Sequence, residues 1–132
     1  MNPLHQLRRA TPLFFVGFIL SCFAVSPLAQ AVTPTPDGSY PGFNTAEGFQ
    51  ALLSLTSGTF DTALGVNALK LDTTASFNTA VGAQALLHNN GSSNTAVGVN
   101  ALVNNTTGFQ NTAVGQGALE NNNATFNTAT GF

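Results

Sequence analysis

Polar and apolar positions along residues 44–131 come in a fixed cycle of sixteen or seventeen residues. The first cluster of each cycle is Asn-Thr-Ala-Val-Gly, written in full at Asn78–Gly82, Asn94–Gly98 and Asn111–Gly115, and with one or two letters changed at Asn44–Gly48, Asp61–Gly65 and Asn127–Gly131. The second is an Ala-Leu pair five residues past the alanine of the triplet: Ala51-Leu52, Ala68-Leu69, Ala85-Leu86, Ala101-Leu102 and Ala118-Leu119. An Asn- or Thr-rich turn follows, closed in places by Gly58, Gly91 or Gly108, and a phenylalanine often leads into the next copy (Phe43, Phe60, Phe77, Phe109, Phe126). Such a short unit cannot bury an apolar face alone, so neighbouring units must stack. The cycle therefore predicts a mainly β fold, a parallel β-solenoid or β-roll of about six coils, roughly 29 Å long at ~4.8 Å per strand.

Within a unit, the Asn-Thr-Ala-x-Gly segment reads as a short strand. Stacked in register, Asn44, Asp61, Asn78, Asn94, Asn111 and Asn127 form a column whose side chains are expected to hydrogen-bond amide to amide along the rod, Asp61 being the near-isosteric exception. Alanine at the third position allows tight packing, and glycine at the fifth a positive-φ corner or a close backbone approach. The Ala-Leu half leaves two readings open. A second strand closes the coil simply, whereas Gln84-Ala85-Leu86-Leu87-His88-Asn89-Asn90-Gly91 carries helix formers before an Asn/Gly stop and fits a single helical turn.

Strand alternation sets Asn, Ala and Gly on one face and Thr with the fourth residue on the other. If the small-residue face lines the interior, Leu64, Val81, Val97 and Val114 make an outward apolar stripe, an interface signal; if the valines face inward, no partner is needed. The fourth slot is polar at the two ends, Glu47 and Thr130, where a solenoid needs blunting. Thin coils bury little apolar area, so association would supply missing core, and a side-by-side homotrimer is the expected form.

The first 31 residues break the cycle. Arg8 and Arg9 precede an apolar run from Leu13 to Val25, and Ala29-Gln30-Ala31 supplies a small-x-small cleavage site, the pattern of a signal peptide spanning 1–31. The run is too short to span a membrane. Ile19-Leu20-Ser21-Cys22 is a competing lipoprotein box that would anchor the chain through Cys22, although Leu20 fits its slot poorly. Residues 32–41, with Pro34, Pro36 and Pro41, read as a Pro-rich linker. The repeat solenoid is then 42–132, and its last unit stops at Phe132 before the next Gln-Ala-Leu, as a truncated solenoid would.

Composition removes most chemistry. Past residue 31 the chain has no cysteine and no arginine, one lysine (Lys70) and one histidine (His88), against Asp37, Glu47, Asp61, Asp72 and Glu120. Disulfides, thiolate metal sites and a basic nucleic-acid surface all lack their residues. His88, Asp72 and Glu120 occupy variable, turn-like positions in different coils, so they read as solvated contact residues together with Lys70 and not as an acid–base site. No cofactor or metal is implied, and an enzyme is not expected. A second binding chemistry comes from Thr45, Thr62, Thr79, Thr95, Thr112 and Thr128, a single file of hydroxyl and methyl groups of the kind that ice-binding solenoids present.

The Asn-Thr-Ala-Val-Gly-x-x-Ala-Leu-x-x-Asn-x-x-x-Gly units resemble the head repeats of trimeric autotransporter adhesins, the YadA-like family of bacterial surface proteins, and also the Asn-Thr-Ala-x-Gly arrays of bacterial surface and tail-fibre-like proteins. The likeness covers residues 42–132. It implies a trimeric parallel β-roll that displays a surface for host or matrix molecules. The units here are longer than the usual head repeat and read Asn-Thr-Ala-Val-Gly where that family has Asn-Ser-Val-Ala-Ile-Gly; no stalk or membrane-barrel segment follows them in the sequence.

Overall fold

A computed structural model describes residues 39–132. The signal peptide, Cys22 and linker residues 32–38 lie outside the described residues. Seven short strands form one sheet in chain order: β1 (Ser39–Tyr40), β2 (Asn44–Glu47), β3 (Thr62–Leu64), β4 (Thr79–Val81), β5 (Thr95–Val97), β6 (Thr112–Val114) and β7 (Thr128–Thr130). β1, from the end of the expected linker, lies antiparallel on β2. From β2 to β7 every pairing is parallel and unshifted: Thr45 opposes Thr62, then Thr79, Thr95, Thr112 and Thr128. Parallel neighbours require a long return connection, which the rest of each unit provides. The chain is thus a β-solenoid of five complete coils, beginning at Asn44, Asp61, Asn78, Asn94 and Asn111, with a sixth begun at Asn127.

Two walls meet in the core. Ala63, Ala80, Ala96 and Ala113 from the strands are fully buried against Ala68, Ala85 and Ala101 and the leucines Leu69, Leu86 and Leu102 from the opposite wall. Each buried leucine contributes about 2 kcal/mol of transfer free energy. The alanines let the walls approach closely, and for that reason the Asn-Ala-Gly face is the inner one.

The Ala-Leu half is neither a second strand nor a helical turn; among the described residues no helix forms. Its backbone alternates in the sign of φ. In the third coil Gly82 (+134°), Gln84 (+60°) and Leu86 (+53°) are all positive. Alternate N–H groups therefore do different jobs. Those of Ala85, Leu87 and Asn89 close local turns onto the carbonyls of Gly82, Gln84 and Leu86, each at 3.3 Å. Those of Gln84 and Leu86 point along the rod, to Val66 O of the coil before (2.8 Å) and Ala101 O of the coil after (3.0 Å). A left-handed leucine costs roughly 1–2 kcal/mol, which complete burial and the inter-coil bond offset. Glycine at the fifth position is required twice over, since a Cβ on Gly82 would lie 2.6 Å from Gly98 O on a backbone already at φ +134°.

Candidate functional site

Two regions concentrate the polar and apolar features that a function could use: a buried amide network inside the coils and the outer face of the sheet. All six residues of the Asn/Asp column lie at the head of their strands, and Asn44, Asp61, Asn78, Asn94 and Asn111 are buried. The column bonds differently from the amide-to-amide expectation. Each side-chain oxygen accepts the backbone N–H of the next column member: Asp61 N to Asn44 Oδ1 at 2.7 Å, Asn78 N to Asp61 Oδ1 at 2.8 Å, Asn94 N to Asn78 Oδ1 at 3.0 Å, Asn111 N to Asn94 Oδ1 at 3.0 Å and Asn127 N to Asn111 Oδ1 at 2.9 Å. One amide-to-amide bond accompanies them, Asn111 Nδ2 to Asn94 Oδ1 at 3.2 Å. The reason is a donor in need. The N–H at the strand entrance lies on the rod axis, and a buried N–H must find an acceptor. The Nδ2 groups are freed for the corner carbonyls, as Asn94 Nδ2 shows with Gly91 O (3.1 Å) and Gly108 O (3.0 Å).

A second polar column runs beside the first: Asp72, Asn89 and Asn105 are fully buried, and Asn122 continues the line. Asp72 is therefore not the solvated turn residue that its neighbours made it look. Its Oδ1 accepts the Ala75 N–H (3.0 Å), and its Oδ2 faces the Nδ2 groups of Asn78 and Asn89, both at 3.4 Å. The sequence does carry the signal, because these four residues recur at the same sixteen-or-seventeen spacing; it was hidden by the abundance of Asn in the turns. His88 and Glu120 are exposed, with His88 Nδ1 3.1 Å from Asn104 Oδ1, and Lys70 is half-buried. Burial pushes the Asp61 carboxyl up to about 6 from an ordinary 3.8, opposed by the Asn78 N–H and reinforced by the charge of Asp72. Burial raises Asp72 as well, against the Ala75 N–H and the Asn89 amide.

On the outer face, Thr and the fourth residue point away from the core. Leu64 and Val81 are half-buried, while Val97 and Val114 stand 37% and 41% exposed. Val66 and Val99, two positions further along and past the strand ends, are exposed as well, with the half-buried Ala83 between them in the stack. Glu47 and Thr130 are exposed at the two ends. Along the entrance corner, the exposed rings of Phe43, Phe60 and Phe77 stack at 5.3 and 5.2 Å. Phe109 meets Phe126 edge to face at 5.5 Å. Ser93 and Gln110 take the positive-φ corner position between them.

Among the described residues no group of three or more His, Cys, Asp or Glu side chains could hold a metal ion, and no helix is long and apolar enough to cross a membrane. An open hollow of about 430 Å³ beside the first coil is lined by Pro41, Leu52, Leu53, Leu55 and the hydroxyl residues Thr56, Ser57 and Thr59. No protein-family model, curated protein or solved structure matches the chain.

Proposed function

We propose that this chain is an exported, non-enzymatic structural and adhesion module of a bacterial cell-surface protein, held rigid by its ladder and assembled as a homotrimer through the Leu64–Val81–Val97–Val114 stripe. The carrying observation is the apolar stripe on the outer sheet face, polar at its two ends in Glu47 and Thr130, on a coil too thin to need those side chains for its own core. The likeness of the repeats to adhesin heads supports the same reading. Contact with a host or matrix ligand would fall to the exposed corner residues, His88, Glu120 and their neighbours, because variable residues on a rigid repeat are the usual binding positions. The apolar run before Ala31 supports export.

Sedimentation of the parent beside Val97→Lys tests the assembly. The parent is expected to sediment as three chains and the variant as one, with the same circular dichroism; two identical monomers would remove the interface. The in-register threonine column favours a rival, an ice-binding face, because its hydroxyls repeat at the strand spacing beside an apolar column. Thermal hysteresis in the parent that vanishes in Thr95→Leu with Thr112→Leu would choose ice over adhesion.

A further inference from the structure

The corner carbonyls inside the solenoid are met by Nδ2 groups of the two polar columns, except in the second coil. Gly58 O takes Asn44 (2.8 Å), and Gly91 O takes Asn89 (2.7 Å) and Asn94 (3.1 Å). Gly108 O takes Asn94 (3.0 Å) and Asn105 (2.8 Å). Ala124 O takes Asn111 (2.9 Å) and Asn122 (2.9 Å). The equivalent carbonyl of the second coil, Ala75 O, has aspartates at both of those positions, Asp61 and Asp72, and an ionised carboxylate donates nothing.

The two acids are not equivalent. Both oxygens of Asp72 already face N–H donors, so it is accommodated as an acceptor. Asp61 uses Oδ1 for the Asn78 N–H, but its Oδ2 is buried without any partner. The other buried side-chain oxygens without a partner, on Asn67, Asn100 and Asn105, belong to neutral amides. Oδ2 of Asp61 sits where a ladder amide has its NH₂, close enough to the corner that a Cβ on Gly58 would lie 2.9 Å from it and against Ala75 O.

We propose that Asp61 is a pH sensor built into the ladder: its Oδ2 carries a proton and donates it to the Ala75 or Gly58 carbonyl, and ionisation sets a carboxylate against those carbonyls and loosens the joint between the first three coils. Among the described residues, the one charged group acting on it is Asp72; the corner residues packed against it, Gly58, Thr59, Ala75 and Ser76, are uncharged, as are its column neighbours Asn44 and Asn78. The direction follows from linkage. Folding raises the affinity of Asp61 for its proton, so this stability is fully present below the unfolded value near 3.8 and is lost as pH rises through about 6. The solenoid is stiffer in mild acid than at neutrality.

Carbon-detected NMR of the parent protein, with the Asp61 carboxyl followed from pH 3 to 8, tests the proton directly. Titration near 6 is expected, and titration near 4 overturns the proposal. Urea unfolding at pH 4 and 7 gives the second arm. The unfolding constant of the parent should rise by roughly fiftyfold through this site, and Asp61→Asn, which restores the ladder donor, should lower the constant at pH 7 and leave only the smaller dependence due to Asp72. Equal pH dependence in parent and Asp61→Asn overturns the sensor. So does a parent stabilised at fixed pH by calcium or sodium ions, which would put a cation between the same oxygens.

Discussion

Truncating one ladder asparagine should cost far more than truncating an asparagine on the surface of the same coil. Asn94→Ala removes five hydrogen bonds from a fully buried amide: those from Asn111 N and Asn111 Nδ2 to its oxygen, and those from its Nδ2 to Asn89 Oδ1, Gly91 O and Gly108 O. The acceptors are partly insured. Gly91 O keeps Asn89 Nδ2, and Gly108 O and Asn89 Oδ1 keep Asn105 Nδ2. The Asn111 N–H is left with nothing, at a cost of about 1–3 kcal/mol, and each remaining bond is worth about 0.5–1.5 kcal/mol net. The expected loss is therefore about 4 kcal/mol, a large part of the ~5–15 kcal/mol that holds a domain folded. Asn104→Ala breaks contacts to His88 and Asn121 that face water and should stay within about 0.5 kcal/mol. Urea unfolding followed by circular dichroism measures both, and hydrogen exchange should show the Asn111 amide opening first, because a stack fails at its weakened neighbour contact. If Asn94→Ala lies within about 1 kcal/mol of Asn104→Ala, the ladder is not what ties the coils together.

Two further substitutions separate other sources of stability. Gly82→Ala meets Gly98 O at 2.6 Å on a φ of +134° and should lose about 3 kcal/mol in thermal or urea unfolding, whereas Gly131→Ala, with a φ of +106° and open space around it, should lose only the conformational part. Leu86→Ala opens a cavity between the walls and should cost about 3 kcal/mol by the same assay.

The architecture was legible because it depends on spacing. Thr45, Thr62 and Thr79 could be aligned by eye, and parallel pairing in that register follows once units must stack. Two features resisted. Leu52, Leu69, Leu86, Leu102 and Leu119 hold left-handed φ values that leucine rarely adopts in isolation, so local propensity named a strand or a helical turn where tertiary bonding imposes alternating turns. Asp72 looked like a solvated loop residue because acidic side chains are seldom buried; its amide surroundings make it an exception that becomes visible only when Asn89 and Asn105 are set above it.

The unequal unit length has a consequence of its own. Between the two buried polar columns the chain takes six residues from Asp72 to Asn78 but five from Asn89 to Asn94 and from Asn122 to Asn127, while the strands stay in perfect step. A lost residue is swallowed at that outer bend. Gene duplication or uneven crossover could therefore add, delete or trade whole coils, and the molecule could change its reach without any redesign of its interior.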